Sequence, residues 1–130
     1  MEKAQSFEHY FSDPNLKPEQ ISQMQLVRSI VHELYPEVVE KVSYAMPGFF
    51  PKGATKANQQ LLMVMANKGW LGLYGTFGIT DADLDDFLDS GISASKGSIH
   101  VPYDLPEESL KRLLKLVIDY NLGRFNQTST

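Results

Sequence analysis

The chain has 130 residues and a mass of 14.6 kDa, enough for one domain with a real core and too little for two of ordinary size. Apolar residues make up 42% and charged residues 22%, the balance of a globular chain rather than a disordered one. Cysteine is absent, which excludes disulfides, thiolate metal sites, iron–sulfur ligation by this chain and cysteine nucleophiles, and the net charge of −4 argues against a broad nucleic-acid surface.

The first residues, Met1-Glu2-Lys3-Ala4-Gln5-Ser6, lead into no apolar signal segment, and no window approaches the length of a membrane span. The expectation is a cytoplasmic chain without membrane contact. Phe7, Tyr10 and Phe11 have helical spacing in a short first segment. Pro18 suits the first turn of a longer helix, in which Met24, Val27, Val31 and Leu34 form a buried stripe until Pro36 ends it.

The period then changes to two. Val42, Tyr44 and Met46 alternate with Ser43 and Ala45 as a half-buried strand, which Pro47-Gly48 interrupts before Phe49 and Phe50. Leu61 to Ala66 reads as a second strand, Asn67-Lys68-Gly69 as a tight hairpin connection with Gly69 available for positive φ, and Trp70 to Tyr74 as the returning strand. Gly72 inside that strand implies close approach by another group. Asp81 to Leu88 reads as a short helix capped by Thr80 and Asp83, and Ser98 to Val101 as a last strand. The final helix opens near Pro106, carries Leu110, Leu113, Leu114 and Val117 on its core face, and is expected to stop at Gly123.

Strands cluster in the middle and join by short turns. The pattern predicts an α+β two-layer sandwich, a mostly antiparallel sheet with N- and C-terminal helices packed on one face. The whole chain, 1–130, is then one domain, with its core at about 5–122 and a tail at 123–130.

The segment Lys41-Val42-Ser43-Tyr44-Ala45-Met46-Pro47-Gly48-Phe49, the triplet Gly72-Leu73-Tyr74, and Lys96-Gly97-Ser98-Ile99-His100-Val101-Pro102 ahead of Leu105-Pro106 stand in an order and at separations that resemble the bacterial YdhG-like family, a domain of unknown function. The resemblance covers roughly residues 5–122. It implies a compact α+β domain related in shape to frataxin and a role as an intracellular iron chaperone supplying iron–sulfur cluster and haem assembly. Two features depart from the family pattern: Gly75 stands where proline usually follows the Gly-Leu-Tyr triplet, and the loop from Thr55 to Gln60 is longer than usual.

Two acidic groups are the candidate metal ligands. Asp81, Asp85 and Asp89 are spaced by four, with Asp86 three before Asp89; on a helix such carboxylates repel one another, and a hard cation would relieve the repulsion. The second group is Glu33, Glu37 and Glu40 around the end of the long helix. Exposed carboxylates without a cage would hold Fe(II) weakly, and no tightly bound cofactor is expected. Solvated surface acids give the same patterns. A calcium loop is excluded, because Asp86 and Ile92 stand where glycine and glutamate are required. His9, His32 and His100 show no zinc-binding spacing.

Tyr44, Met46, Pro47, Phe49, Trp70 and Tyr74 are candidates for an apolar cleft at the sheet, beside which Lys96 and Ser98 would hold an anionic ligand; the same aromatics would equally serve as core. Ser93-Ala94-Ser95-Lys96 matches one motif of penicillin-recognising enzymes without the other two, and no nucleophile–base pair is visible, so no enzyme activity is expected. The leading expectation is a small cytoplasmic binding protein, a frataxin-like iron chaperone with partners in iron–sulfur assembly or haem synthesis. The alternative is a module without metal that binds a small molecule or a protein through the Tyr44–Phe49 and Lys96–Ser98 region. Either would be a monomer or a weak homodimer and would not bind nucleic acid.

Overall fold

A computed structural model describes residues 6–128, without the side chains of Leu88, Asp89 and Thr128. Its first helix, α1 (Phe7–Phe11), is capped by Ser6, whose Oγ accepts the His9 N–H at 3.0 Å. Helix α2 (Pro18–Leu34) starts at the expected proline, and the Gln20 side chain reaches back to accept the Lys17 N–H at 2.8 Å. The last helix, α3 (Glu107–Thr128), does not stop at Gly123 but continues through it, so the expected tail forms further helical turns. A glycine inside a helix costs only about 1 kcal/mol, and the neighbouring Leu122 and Phe125 are partly buried.

Six strands form one sheet: β1 (Val39–Ser43), β2 (Met46–Phe50), β3 (Leu62–Ala66), β4 (Leu71–Tyr74), β5 (Ser93–Ser95) and β6 (Ser98–Val101). Their order is β1-β2-β3-β4-β6-β5, and every neighbouring pair is antiparallel. The predicted α+β architecture is therefore the observed one. Successive side chains along a strand point to opposite faces. Phe49, Leu62, Val64, Leu71, Leu73, Ile99 and Val101 face one way and join Met24, Val27, Ile30 and Val31 of α2 and Leu110, Leu113, Leu114, Val117 and Ile118 of α3 in one buried cluster. No helix among the described residues is long and apolar enough to cross a membrane.

Three local readings change. The chain does not run straight through Tyr44. It reverses at Tyr44–Ala45, so that Ser43 pairs with Met46 and Val42 with Pro47. Pro47 and Gly48 thus belong to β2 rather than interrupting a strand, and Pro47 is tolerated because the β2–β3 ladder spans only Gly48 and Phe49. The Ser93–Lys96 motif lies in a hairpin, β5 to β6, turned at Lys96–Gly97 with φ of 79° at Gly97; the short polar strand β5 has no sequence signature. Gly69 does not use the left-handed region at its hairpin.

The aspartate-rich segment is also different. Thr80 and Asp83 make the expected reciprocal capping contacts, with the Thr80 N–H donating to Asp83 Oδ2 at 2.8 Å. Yet the chain then passes through turns into a 3₁₀-helix, Asp85–Ser90. Aspartate is a weak helix former, and a 3₁₀ turn aligns residues three apart rather than four.

The Tyr44–Ala45 turn places two residues without the freedom of glycine at φ of 52° and 62°, the type I′ geometry that Asn-Gly ordinarily supplies. Tyr44 is 70% exposed, so its ring contributes little burial in return. The double substitution Tyr44→Asn, Ala45→Gly is expected to stabilise the fold by about 1 kcal/mol. A urea unfolding midpoint that fails to rise would show that the turn is not strained.

Candidate binding site

The sheet face turned away from the helices has its own chemistry. Strand pairing places Lys41, Gly48, Met63, Tyr74, Ser98 and Ser95 in one row across all six strands, and Gly72 beside His100 in the next. Tyr74 folds its ring over Gly72, where a Cβ would meet the ring at 2.5 Å; this is the close approach that Gly72 implied. Phe50 lies against Gly48 in the same way. Trp70 stacks on His100 with ring centroids 3.6 Å apart and planes inclined by 21°. Near that end of the sheet, the Asn67 carbonyl accepts from Tyr103 Oη at 2.6 Å and from Gln20 Nε2 at 3.1 Å, and the Ala66 N–H donates to Tyr10 Oη at 3.1 Å. Burial pushes the Tyr10 and Tyr103 phenols above their usual range.

The eight residues expected to line one pocket are not brought together. Phe49 is in the core, edge-on to Phe7 at 5.3 Å, and Pro47 shares its buried face. Tyr44 and Met46 flank the β1–β2 turn, at the same end of the strands as Trp70. Lys96 is at the opposite end, beyond Ser98, whose Oγ is 2.8 Å from that of Ser95. Tyr74 shares a row with Ser98 and points over the sheet.

The Lys96 end does form a cavity. The loop after β4 and the β5–β6 turn border a shallow cavity, open to solvent, of about 300 Å³, lined by Phe77, Thr80, Asp81, Ala94, Lys96 and Gly97. Phe77 is 57% exposed, and its ring rests on Gly97, where a Cβ would approach it to 2.7 Å. Lys96 makes no ion pair among the described residues. Sequence reading missed Phe77; the one signal was an aromatic residue between Gly75 and Gly78, both at positive φ.

The acidic candidates are distributed. Glu33 accepts from Lys111 Nζ at 2.6 Å, which raises the Lys111 pKa, and Glu37 is 3.6 Å from Lys52. Glu40 receives both Arg28 Nε and an Arg28 terminal nitrogen at 2.6 Å, and His32 Nε2 lies 2.8 Å from it. Asp81, Asp85 and Asp86 are exposed; Asp86 approaches Arg112 at 4.0 Å, and Asp81 borders the Phe77 cavity. The side chain of Asp89 lies outside the described residues. Among the described residues, no three carboxylates or histidines are grouped so that they could hold a metal ion.

These features define a class: a two-layer α+β domain with a six-stranded antiparallel sheet, helices on one face, and loop-bounded cavities at one end. No protein-family model matches the sequence, and no curated protein matches it. Among solved structures, the chain is similar to that of YdhG, a protein from the DUF1801 family of Bacillus subtilis. The TM-score is 0.75 with 18% sequence identity, over 96% of this chain and 94% of that one. The two chains share the fold.

The Glu40 cluster gives a test of its own. Burial would raise the Glu40 carboxyl, but the hydrogen bonds from Arg28 and His32 and the Arg28 charge outweigh it and hold the pKa below the usual range. Stabilisation from a carboxyl so lowered is complete above the unfolded value of about 4.3 and is lost as pH falls through the folded one. Glu40→Gln is expected to cost about 1–2 kcal/mol near neutral pH, discounted for partial exposure. Urea unfolding of parent and variant should converge as pH drops below about 4. A gap that does not vary with pH would mean that the charge is not what Glu40 contributes.

Proposed function

We propose that this chain is a YdhG-like small-molecule-binding module that takes a small organic anion with an apolar body in the cavity between Phe77 and Lys96. The family reading is supported by the ordered motifs around Tyr44–Phe49, Gly72–Tyr74 and Lys96–Pro102 and by the fold shared with the DUF1801 protein. The observation that carries the binding reading is the cavity itself. Its volume of about 300 Å³ lies at the lower end of the range of small-molecule sites, and it joins an exposed aromatic ring to a lysine without an ion-pair partner among the described residues.

The chemistry of the rim selects the ligand. An anionic group pairs with Lys96, and a planar or apolar body covers Phe77, removing exposed aromatic surface from water. Asp81 on the same rim repels a second negative charge and favours a ligand with a single acidic end. Nothing in this arrangement calls for catalysis; the site holds a ligand.

The test is an amide NMR titration with phenylacetate. Saturable shifts are expected in Gly75–Asp81 and Ser95–Ser98, and Lys96→Ala or Phe77→Ala should each weaken binding by roughly tenfold, the equivalent of one charge-assisted contact. Both side chains are exposed, so the variants should fold. Absence of shifts at millimolar phenylacetate would overturn the reading. An anaerobic titration with ferrous iron gives the competing outcome: saturable shifts at Asp81–Asp86 or Glu33–Glu40, without any response to phenylacetate, would favour an iron chaperone.

A further inference from the structure

The cavity beside Phe77 is bordered by one charge of each sign: Lys96 on the β5–β6 turn and Asp81 on the loop after β4. Both side chains are exposed, and they do not pair with each other. Neither has another ion-pair partner among the described residues. Two opposite charges that border one cavity without meeting direct a field across it.

The two walls are tied together. The Thr76 N–H donates to the Gly97 carbonyl at 3.5 Å, which joins the loop after β4 to the turn that carries Lys96. That turn is shaped by φ of 79° at Gly97 and by the 2.8 Å contact between Ser95 Oγ and Ser98 Oγ. On the loop, Ile79 and Leu84 are buried on either side of Asp81 in the chain. The Ile79 N–H donates to the Thr76 carbonyl at 3.1 Å, and the Asp81 carbonyl accepts the Leu84 N–H at 3.1 Å. The next acid along, Asp83, is committed elsewhere: it accepts the Thr80 N–H at 2.8 Å and the Thr80 hydroxyl at 3.1 Å. Asp81 is the carboxylate that borders the cavity.

Resting on the reading above, we propose that the anion taken by this cavity is a zwitterion, a free aromatic amino acid of about the size of phenylalanine. Its carboxylate pairs with Lys96, its ammonium with Asp81, and its ring lies against Phe77. The α-carbon holds ammonium and carboxylate two bonds apart, so one end of the ligand meets both charged walls while the side chain leaves in a third direction. A ligand without the ammonium presents its carboxylate to an uncompensated Asp81, and one without the carboxylate presents its ammonium to an uncompensated Lys96. Because the cavity is open to solvent, each ion pair is screened and adds only a few-fold in affinity. A volume of about 300 Å³ accommodates one such molecule.

Three ligands with the same phenyl ring and carbon chain separate the charges. L-phenylalanine carries both, 3-phenylpropanoate lacks the ammonium, and L-phenylalaninamide lacks the carboxylate. Amide NMR titrations of the full chain at about pH 6, where the α-amino group is charged, are followed at Gly75–Asp81 and Ser95–Ser98. L-phenylalanine should bind about threefold to fivefold more tightly than either analogue. Asp81→Asn, a change at an exposed side chain, should bring L-phenylalanine and 3-phenylpropanoate to equal affinity. In the parent chain, 3-phenylpropanoate binding as tightly as L-phenylalanine, or an advantage for L-phenylalanine that survives Asp81→Asn, would overturn the proposal and leave the Phe77–Lys96 reading intact. L-phenylalaninamide binding as tightly as L-phenylalanine would overturn it in favour of a peptide N-terminus. Absence of shifts with all three and with phenylacetate would instead remove the reading beneath it.

Discussion

The arrangement rests on one constraint: the sheet buries one face under α2 and α3 and turns the other away from them. Period-two alternation makes this a sorting of residues. Leu62, Val64, Leu71, Leu73, Ile99 and Val101 go to the helices, while their neighbours Met63, Gly72, Tyr74, Ser98 and His100 go to the opposite side. A one-residue slip in any strand would exchange the two sets and place Ser98 or His100 against Leu113. Register is thus held by the apolar set, which leaves the second face free to carry aromatic rings, hydroxyls and glycines.

That second face is organised by glycine–aromatic pairs. Tyr74 lies over Gly72, Phe50 against Gly48 and Phe77 on Gly97, so that a ring covers backbone a side chain would otherwise shield. Each ring is thereby fixed in direction. For Phe77 the result is an exposed aromatic ring that rests on Gly97 and borders the same cavity as Lys96. The same loop is fixed from its other side, because Asn121 holds the Gly75 carbonyl and the Tyr120 hydroxyl lies against Gly78. One short segment, Gly75–Gly78, therefore depends on α3 for its shape.

How much of this was legible in the sequence follows from which interactions are local. The α2 and α3 stripes were readable because spacing of three and four residues is itself the signal, and Pro18 and Pro36 mark their own positions. The turn at Tyr44–Ala45 was not, because it lacks the Asn-Gly signature and the apolar alternation continues across it. Strand β5 is Ser-Ala-Ser and forms only because β6 lies beside it. The stop expected at Gly123 failed because a single glycine costs a helix only about 1 kcal/mol, and α3 runs on through it. The predicted pocket mixed both sheet faces and both sheet ends, since residue type alone does not reveal on which side of a turn the alternation restarts. Of its members, Lys96 lines the cavity that is present, and Ser98 lies two residues away.

The acidic residues show why composition is a weak guide to a site. Glu33, Glu37 and Glu40 are close in sequence, yet a helix end, a proline and a strand start separate their directions, and each meets a different cation: Lys111, Lys52 and Arg28. A metal ion would have to displace those partners and would gain few shared ligands. Lys96 presents the opposite case. It has no ion-pair partner among the described residues, although acids outnumber bases in the chain sixteen to twelve. In an acidic protein the background field already disfavours anions, so a site for one must be made locally, by directed donors and a desolvating wall. Lys96 beside Phe77, at the end of the sheet where β4 stops and β6 begins, is the arrangement of that kind on which the proposed binding rests.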